Sequence, residues 1–209
     1  FGHKINNYGE SNTHVIRNEN VPTGGGIIVF FIYLISFFFY FLFYKEKILE
    51  LLPNKYYILI FSIIVLFIIS AYDDFSAIHP IYKLILQIIL VYISTVTLDL
   101  NNTKLPLKLL LLIIVVFWVY IINIVNFIDG SDGFLTSYSL FFFTSILTEN
   151  FIKSNSTSLS TFFALLLIPI LVIFLYFNKP TAKIFIGDSG SIFLGFLIGY
   201  ISLNKILAY

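Results

Sequence analysis

Long apolar runs separated by short polar breaks make up most of the chain. Seven runs, at about 26–44, 56–72, 81–98, 107–128, 134–147, 159–177 and 192–207, are each predicted as a membrane-crossing helix. At roughly 1.5 Å per residue, the longer of them cover a hydrocarbon core of about 30 Å. The fifth run is dotted with Thr and Ser, and Pro169 sits inside the sixth, where neighbouring helices tolerate a kink. Residues 1–23 are too polar to span and lead into Pro22-Thr23-Gly24-Gly25-Gly26, a turn-prone entry to the first run. Lys45, Glu46 and Lys47 close that run. The predicted fold class is all-α: a polytopic transmembrane helix bundle of about seven spans, with 1–209 as a single integral membrane domain made of a polar segment, 1–23, and the bundle, 24–209.

Composition removes the alternatives. The 209 residues are 59% hydrophobic and 11% charged, with a mean hydropathy of +0.97, more apolar surface than a soluble domain can hide. The net charge of +1 offers no basic patch, so no nucleic-acid partner is expected. With no Cys, disulfides and thiolate metal sites are excluded. The chain also lacks Met and opens on Phe1, so it is expected to be an internal piece of a longer protein, incomplete at both ends.

Seven crossings put alternate loops on opposite sides. The N-terminal segment and the loops at 73–80, 129–133 and 178–191 then share one side. Of six Asp, five (Asp73, Asp74, Asp129, Asp132 and Asp188) fall there, with every Gly-rich turn, and only Asp99 lies opposite. Basic residues do not orient the bundle: five lie on the Asp-rich side and seven on the other.

The densest polar stretch is Asn123-Ile-Val-Asn126-Phe-Ile-Asp129-Gly-Ser-Asp132-Gly133, between two apolar runs. Ionisable groups at a membrane boundary are costly unless paired, metal-bound or functional. Carboxylates gathered with few cations repel one another, and such oxygen ligands suit Mg²⁺ or Mn²⁺, which could hold a diphosphate. Gly187-Asp188-Ser189-Gly190-Ser191 opens a helix whose N–H groups and dipole could cradle a phosphate, or serve only as a cap. Lys83, one turn into its span, either snorkels to the interface or binds a phosphate. His3, His14 and His79 have no ligand spacing; Phe37–Phe39 and Phe141–Phe143 suit lipid contact or packing, and Trp118 suits packing or the interfacial belt. Together these features suggest a metal-dependent site for a phosphorylated amphiphile at one membrane face.

Taken in order, Pro22-Thr23-Gly24-Gly25-Gly26, Asp73-Asp74, Asn123-x-x-Asn126-x-x-Asp129-Gly-x-Asp132-Gly and Ile184-Phe-Ile-Gly-Asp188-Ser-Gly-Ser191-x-x-Leu-Gly195-Phe resemble the polyprenyl-phosphate N-acetylhexosamine-1-phosphate transferases, over about residues 14–199. The resemblance implies transfer of a sugar 1-phosphate from a UDP-N-acetylhexosamine to a polyprenyl phosphate, with release of UMP and with Mg²⁺. It places the site on the cytoplasmic face of a bacterial inner membrane, so 1–23 would be cytoplasmic. It implies that Asp73 and Asp74 act at the lipid phosphate, one of them as base or positioner, and that Asp188 holds the metal. Asn123, Asn126, Asp129, Asp132 and Asn178 would line the nucleotide-sugar site, Lys83 would contact phosphate, and Thr23 would belong to the first cytoplasmic loop. A homodimer is compatible with this reading.

The wording of the motifs is closer to the N-acetylglucosamine-1-phosphate type enzymes that initiate O-antigen, teichoic acid or capsule synthesis. The alternative is the phospho-N-acetylmuramoyl-pentapeptide transferase of peptidoglycan. Two departures stand out: Ala77 occupies a position where a lysine is sometimes found, and a later histidine-bearing loop lies outside the chain. An Asp-rich prenyltransferase would need further carboxylates after Asp74, and a CDP-alcohol phosphotransferase an Arg after Asp129-Gly130. A transporter with an Asp relay predicts mid-span carboxylates, whereas these lie at span ends.

Overall fold

The computed structural model describes residues 21–51, 53–100, 105–153 and 158–208. His3 and His14 lie outside these. All seven predicted spans are helices: α1 Gly25–Phe43, α3 Tyr56–Phe75, α4 Pro80–Ser94, α5 Leu107–Ile128, α6 Phe134–Ile152, α7 Leu159–Asn178 and α8 Gly187–Leu207. A short helix, α2 Lys45–Leu51, follows α1, so the charged Lys45–Lys47 segment that closes the first apolar run also starts a new helix. A 3₁₀ turn, Thr95–Thr97, finishes α4.

Six of the seven are long and apolar enough to cross a membrane; α6 falls short because Thr, Ser, Glu and Asn interrupt it. It nevertheless runs the full height of the bundle. At its start Thr136 donates to Asn178 at the end of α7, and near its finish Asn150 accepts from Lys205 at the far end of α8. Packing along α7 shelters this less apolar helix.

The bundle is built around α8. Of its most apolar 18-residue window, 72% is buried, against 22% for α1. Helices α1, α3 and α5 pack on it directly, α4 bridges α3 and α5, and α6–α7 form an antiparallel pair beside α1. Small residues make such an axis workable, because without a hydrophobic drive between helices close backbone approach supplies the attraction. The tightest approach is between Gly26 of α1 and Gly190 of α8, where a Cβ on either would overlap the other's backbone. Phe30 stacks on Phe67 at 3.7 Å between ring centroids and meets Phe193 edge-on at 5.0 Å, tying α1, α3 and α8. Trp118 is fully buried and its indole N–H donates to the Phe196 carbonyl at 2.9 Å, so it packs rather than serving the interfacial belt. Pro169 lies within α7 without ending it. Phe38, Phe39 and Phe141 face outward, where lipid would meet them, and Phe143 is buried.

The side pairing predicted from span order holds. The ends of α3, α5 and α7 and the starts of α1, α4, α6 and α8 share one end of the bundle, as the contacts among Asp73, Lys83, Asp129 and Asp188 require.

Candidate active site

At that end four carboxylates and one lysine converge from α3, α4, the α5–α6 turn and α8. Lys83 lies one turn into α4, which Pro80 starts and the His79 ring caps by accepting from the Ile81 N–H. Its ammonium donates to Asp73 Oδ2 at 2.6 Å and to Asp188 Oδ2 at 2.8 Å. The other Asp73 oxygen accepts from the Ile78 N–H at 2.6 Å, which turns the 76–79 loop back over the carboxylate.

Asp74 has a different environment. Its two oxygens accept from the N–H groups of Asp188 (2.9 Å) and Ser189 (3.2 Å), at the start of α8. Asp129, at the end of α5, accepts from the Gly187 N–H at 2.7 Å. Helix N-termini leave donors unpaired and carry a positive dipole end, and here two carboxylates remote in sequence satisfy them. This corrects the expectation of an open phosphate cradle at the start of α8: the N–H groups of Gly187, Asp188 and Ser189 are occupied by the protein's own anions. The alternative, a cap supplied from within the motif, also fails, since no side chain caps α8 locally. Gly187 is required for this arrangement, because its φ of 78° is left-handed and a Cβ would crowd the Asp74 carboxylate and the Gly24 nitrogen.

Burial raises the Asp129 carboxyl to about 7, with the charges of Asp188 and Asp74 adding to the rise and the Gly187 N–H opposing it. A group poised there changes charge near neutral pH.

The segment around Thr23 runs alongside the loop before α8. Phe185 N–H donates to the Pro22 carbonyl, and the N–H groups of Gly25 and Gly26 donate to the carbonyls of Phe185 and Ile186, at 2.6 to 3.0 Å. Thr23 is exposed beside this pairing. Asn126 accepts from the Ser191 hydroxyl at 2.6 Å, holding α5 to the first turn of α8. Asn123 lies one turn deeper and donates to Gln87 Oε1 at 2.8 Å. The sequence reading missed Gln87. The available signal was its position four residues after Lys83, on the same face of an otherwise apolar helix.

Two predicted residues stand apart from the cluster. Asn178 is 2% exposed, with its carbonyl accepting from Thr136 and its amide donating to Ile184 O, so it joins α6 to the loop before α8. Asp132 is exposed and accepts from the Ala182 N–H at 3.1 Å, fixing the α5–α6 turn to the same loop.

Among the described residues no group of three or more His, Cys, Asp or Glu is arranged to hold a metal ion. The donor chemistry nevertheless fits a hard divalent cation. Asp73 Oδ2 and Asp188 Oδ2 already converge on one cationic point, the Lys83 ammonium.

A membrane helix bundle with carboxylates and a lysine gathered at one end defines the class of protein. Residues 56–205 match the model of glycosyl transferase family 4, and the chain belongs to that family. It is 30% identical over 141 residues to the phospho-N-acetylmuramoyl-pentapeptide-transferase of Staphylococcus carnosus (strain TM300), covering 67% of this chain and 39% of that protein. It is 32% identical over 111 residues to the protein of the same name in Staphylococcus aureus (strain JH9), covering 53% of this chain and 34% of that one. The chain therefore spans between a third and two fifths of the length of these relatives.

Proposed function

We propose that the protein of which this chain is part transfers an N-acetylhexosamine 1-phosphate from a UDP-sugar to a polyprenyl phosphate in a bacterial inner membrane, at the cytoplasmic face. The observation that carries the reading is the meeting of Asp73, Lys83 and Asp188, from three helices, within 2.8 Å of one ammonium nitrogen at the boundary of an apolar bundle. An amphiphile whose phosphate lies at the interface and whose tail lies in lipid would reach this point.

The chemistry is a displacement at phosphorus. An oxygen of the lipid phosphate monoester forms a bond to the β-phosphorus of the UDP-sugar. The bond from that phosphorus to the bridging oxygen breaks, and UMP leaves with the electron pair. Asp73 is placed to orient the lipid phosphate or take its proton; Asp74 is held by two N–H groups and acts by positioning Asp188. Lys83 supplies positive charge to the diphosphate, and Asn123, Asn126 and Asp129 border the same end. A bound Mg²⁺, or Mn²⁺ in its place, would be held through Asp188 with Asp73 and would offset charge on the leaving UMP.

Two donors deserve test. The motif wording favours UDP-N-acetylglucosamine, as in enzymes that begin O-antigen, teichoic acid or capsule. The names of the relatives favour UDP-N-acetylmuramoyl-pentapeptide, and with it peptidoglycan synthesis. The full-length protein in polyprenyl phosphate vesicles, given each donor and Mg²⁺, discriminates between them: the true donor yields UMP and lipid-linked sugar in equal amounts. Release of UMP from neither donor by a folded full-length protein would refute the proposal.

A further inference from the structure

We propose that Lys83 is a resident counter-cation, exchanged for a divalent ion at Asp73 and Asp188 and thereby released toward a phosphate. This inference rests on the functional reading above for the identity of the ion.

Asp73 on α3 and Asp188 on α8 are remote in sequence, yet both aim an oxygen at the same nitrogen, at 2.6 and 2.8 Å. Two carboxylates so directed repel each other unless a cation stands between them. The remaining acids cannot share the load: Asp74 is committed to the Asp188 and Ser189 N–H groups, and Asp129 to that of Gly187. One positive charge therefore serves two negative ones, and the pair retains an unbalanced charge that a divalent ion would cancel fully.

Geometry makes the exchange feasible. Lys83 is attached by a flexible four-carbon stem and its side chain keeps 21% of its surface exposed, so the ammonium can swing away without unfolding α4. The Asp73 and Asp188 side chains keep 10% and 31%, leaving an approach from outside. Asp73 is steadied by the Ile78 N–H, and Asp188 by the Asp74 cap on its own backbone, so both carboxylates hold position once the lysine departs. A lysine paired in the resting protein is thus kept from binding phosphate until the cation arrives, which orders the two events.

The test uses full-length protein in nanodiscs, with Mn²⁺ binding read by electron paramagnetic resonance and amine exposure read by mass-tagging of Lys83. Removing the competing charge in Lys83→Met should tighten Mn²⁺ binding about tenfold, the scale on which groups around a metal tune its affinity. Lys83→Arg, which keeps the charge, should bind as the wild type does and serves as the check on folding. In the wild type, Mn²⁺ should raise tagging of Lys83. Unchanged or weaker Mn²⁺ binding in a folded Lys83→Met, or tagging indifferent to Mn²⁺, overturns the proposal while the functional reading stands. Absence of Mn²⁺ binding in both wild type and Lys83→Met, in protein that still transfers sugar phosphate, overturns this proposal and the metal assignment together.

Discussion

The two ends of the bundle are both polar, and they are built on opposite principles. At the far end Glu149 pairs with Lys153 and Lys205, and Asn150 uses its amide on Ser158, Ser160 and Thr161 and its carbonyl on Lys205. Cations outnumber the acid, and the hydroxyls answer one another. At the near end two carboxylates, Asp73 and Asp188, share one lysine, and two more, Asp74 and Asp129, are spent on the N-terminus of α8. Charged and polar groups that satisfy one another close a helix bundle. A surplus of one sign, fixed in place by backbone donors, is costly to assemble and is what a charged reactant can exploit. The proposed chemistry is therefore assigned to the near end.

The contrast can be broken at its axis. Gly26→Val puts side-chain atoms into the Gly190 backbone, which cannot give way as a side chain would. The cost should reach or exceed the about 3 kcal/mol typical of severe overpacking, and size-exclusion chromatography should find little folded protein. A smaller but sharper effect follows at Asp74. Asp74→Ala leaves the Asp188 and Ser189 N–H groups without partners, at about 1–3 kcal/mol for a buried unsatisfied donor. Thermal unfolding should fall by several degrees and sugar-phosphate transfer should be lost. Retained transfer would contradict its positioning role.

The third effect is of pH. Asp129 titrates near 7 when folded, against 3.8 in its ordinary state, so the folded protein holds the extra proton between those values. Its contribution to stability is full below 3.8 and is lost as pH rises through about 7. The melting temperature of metal-free protein should decline over that window, and Asp129→Asn should flatten the decline. The smallest effect belongs to the far end. Glu149→Gln removes partly exposed pairs worth about 1 kcal/mol or less, and should leave transfer within about twofold of wild type.

Much of this was legible in sequence because hydrophobic runs and turn residues are local signals. The seven helices, their alternation of sides and the gathering of Asp73, Asp129 and Asp188 at one end follow from run lengths and order alone. What could not be read was how remote groups answer one another. Nothing near Asp74 announces that it caps a helix 114 residues away, and nothing in Gly187–Ser191 says that its donors are already taken. Asn178, grouped with the site by the family resemblance, joins α6 to the segment before α8 inside the protein. The polar Ser and Thr of α6 made it look a weak span, and only its pairing with α7 explains how it runs the bundle's full height.

The most direct measurement compares the ends in one assay. Full-length protein, its Asp188→Asn variant and its Glu149→Gln variant would each be incubated with the UDP-sugar donor, Mg²⁺ and polyprenyl phosphate, and UMP release followed. The account predicts a loss of about a hundredfold or more for Asp188→Asn, the scale of removing a group that stabilises transition-state charge, and near-wild-type release for Glu149→Gln. Near-wild-type release from Asp188→Asn, with release lost in a folded Glu149→Gln, would contradict it.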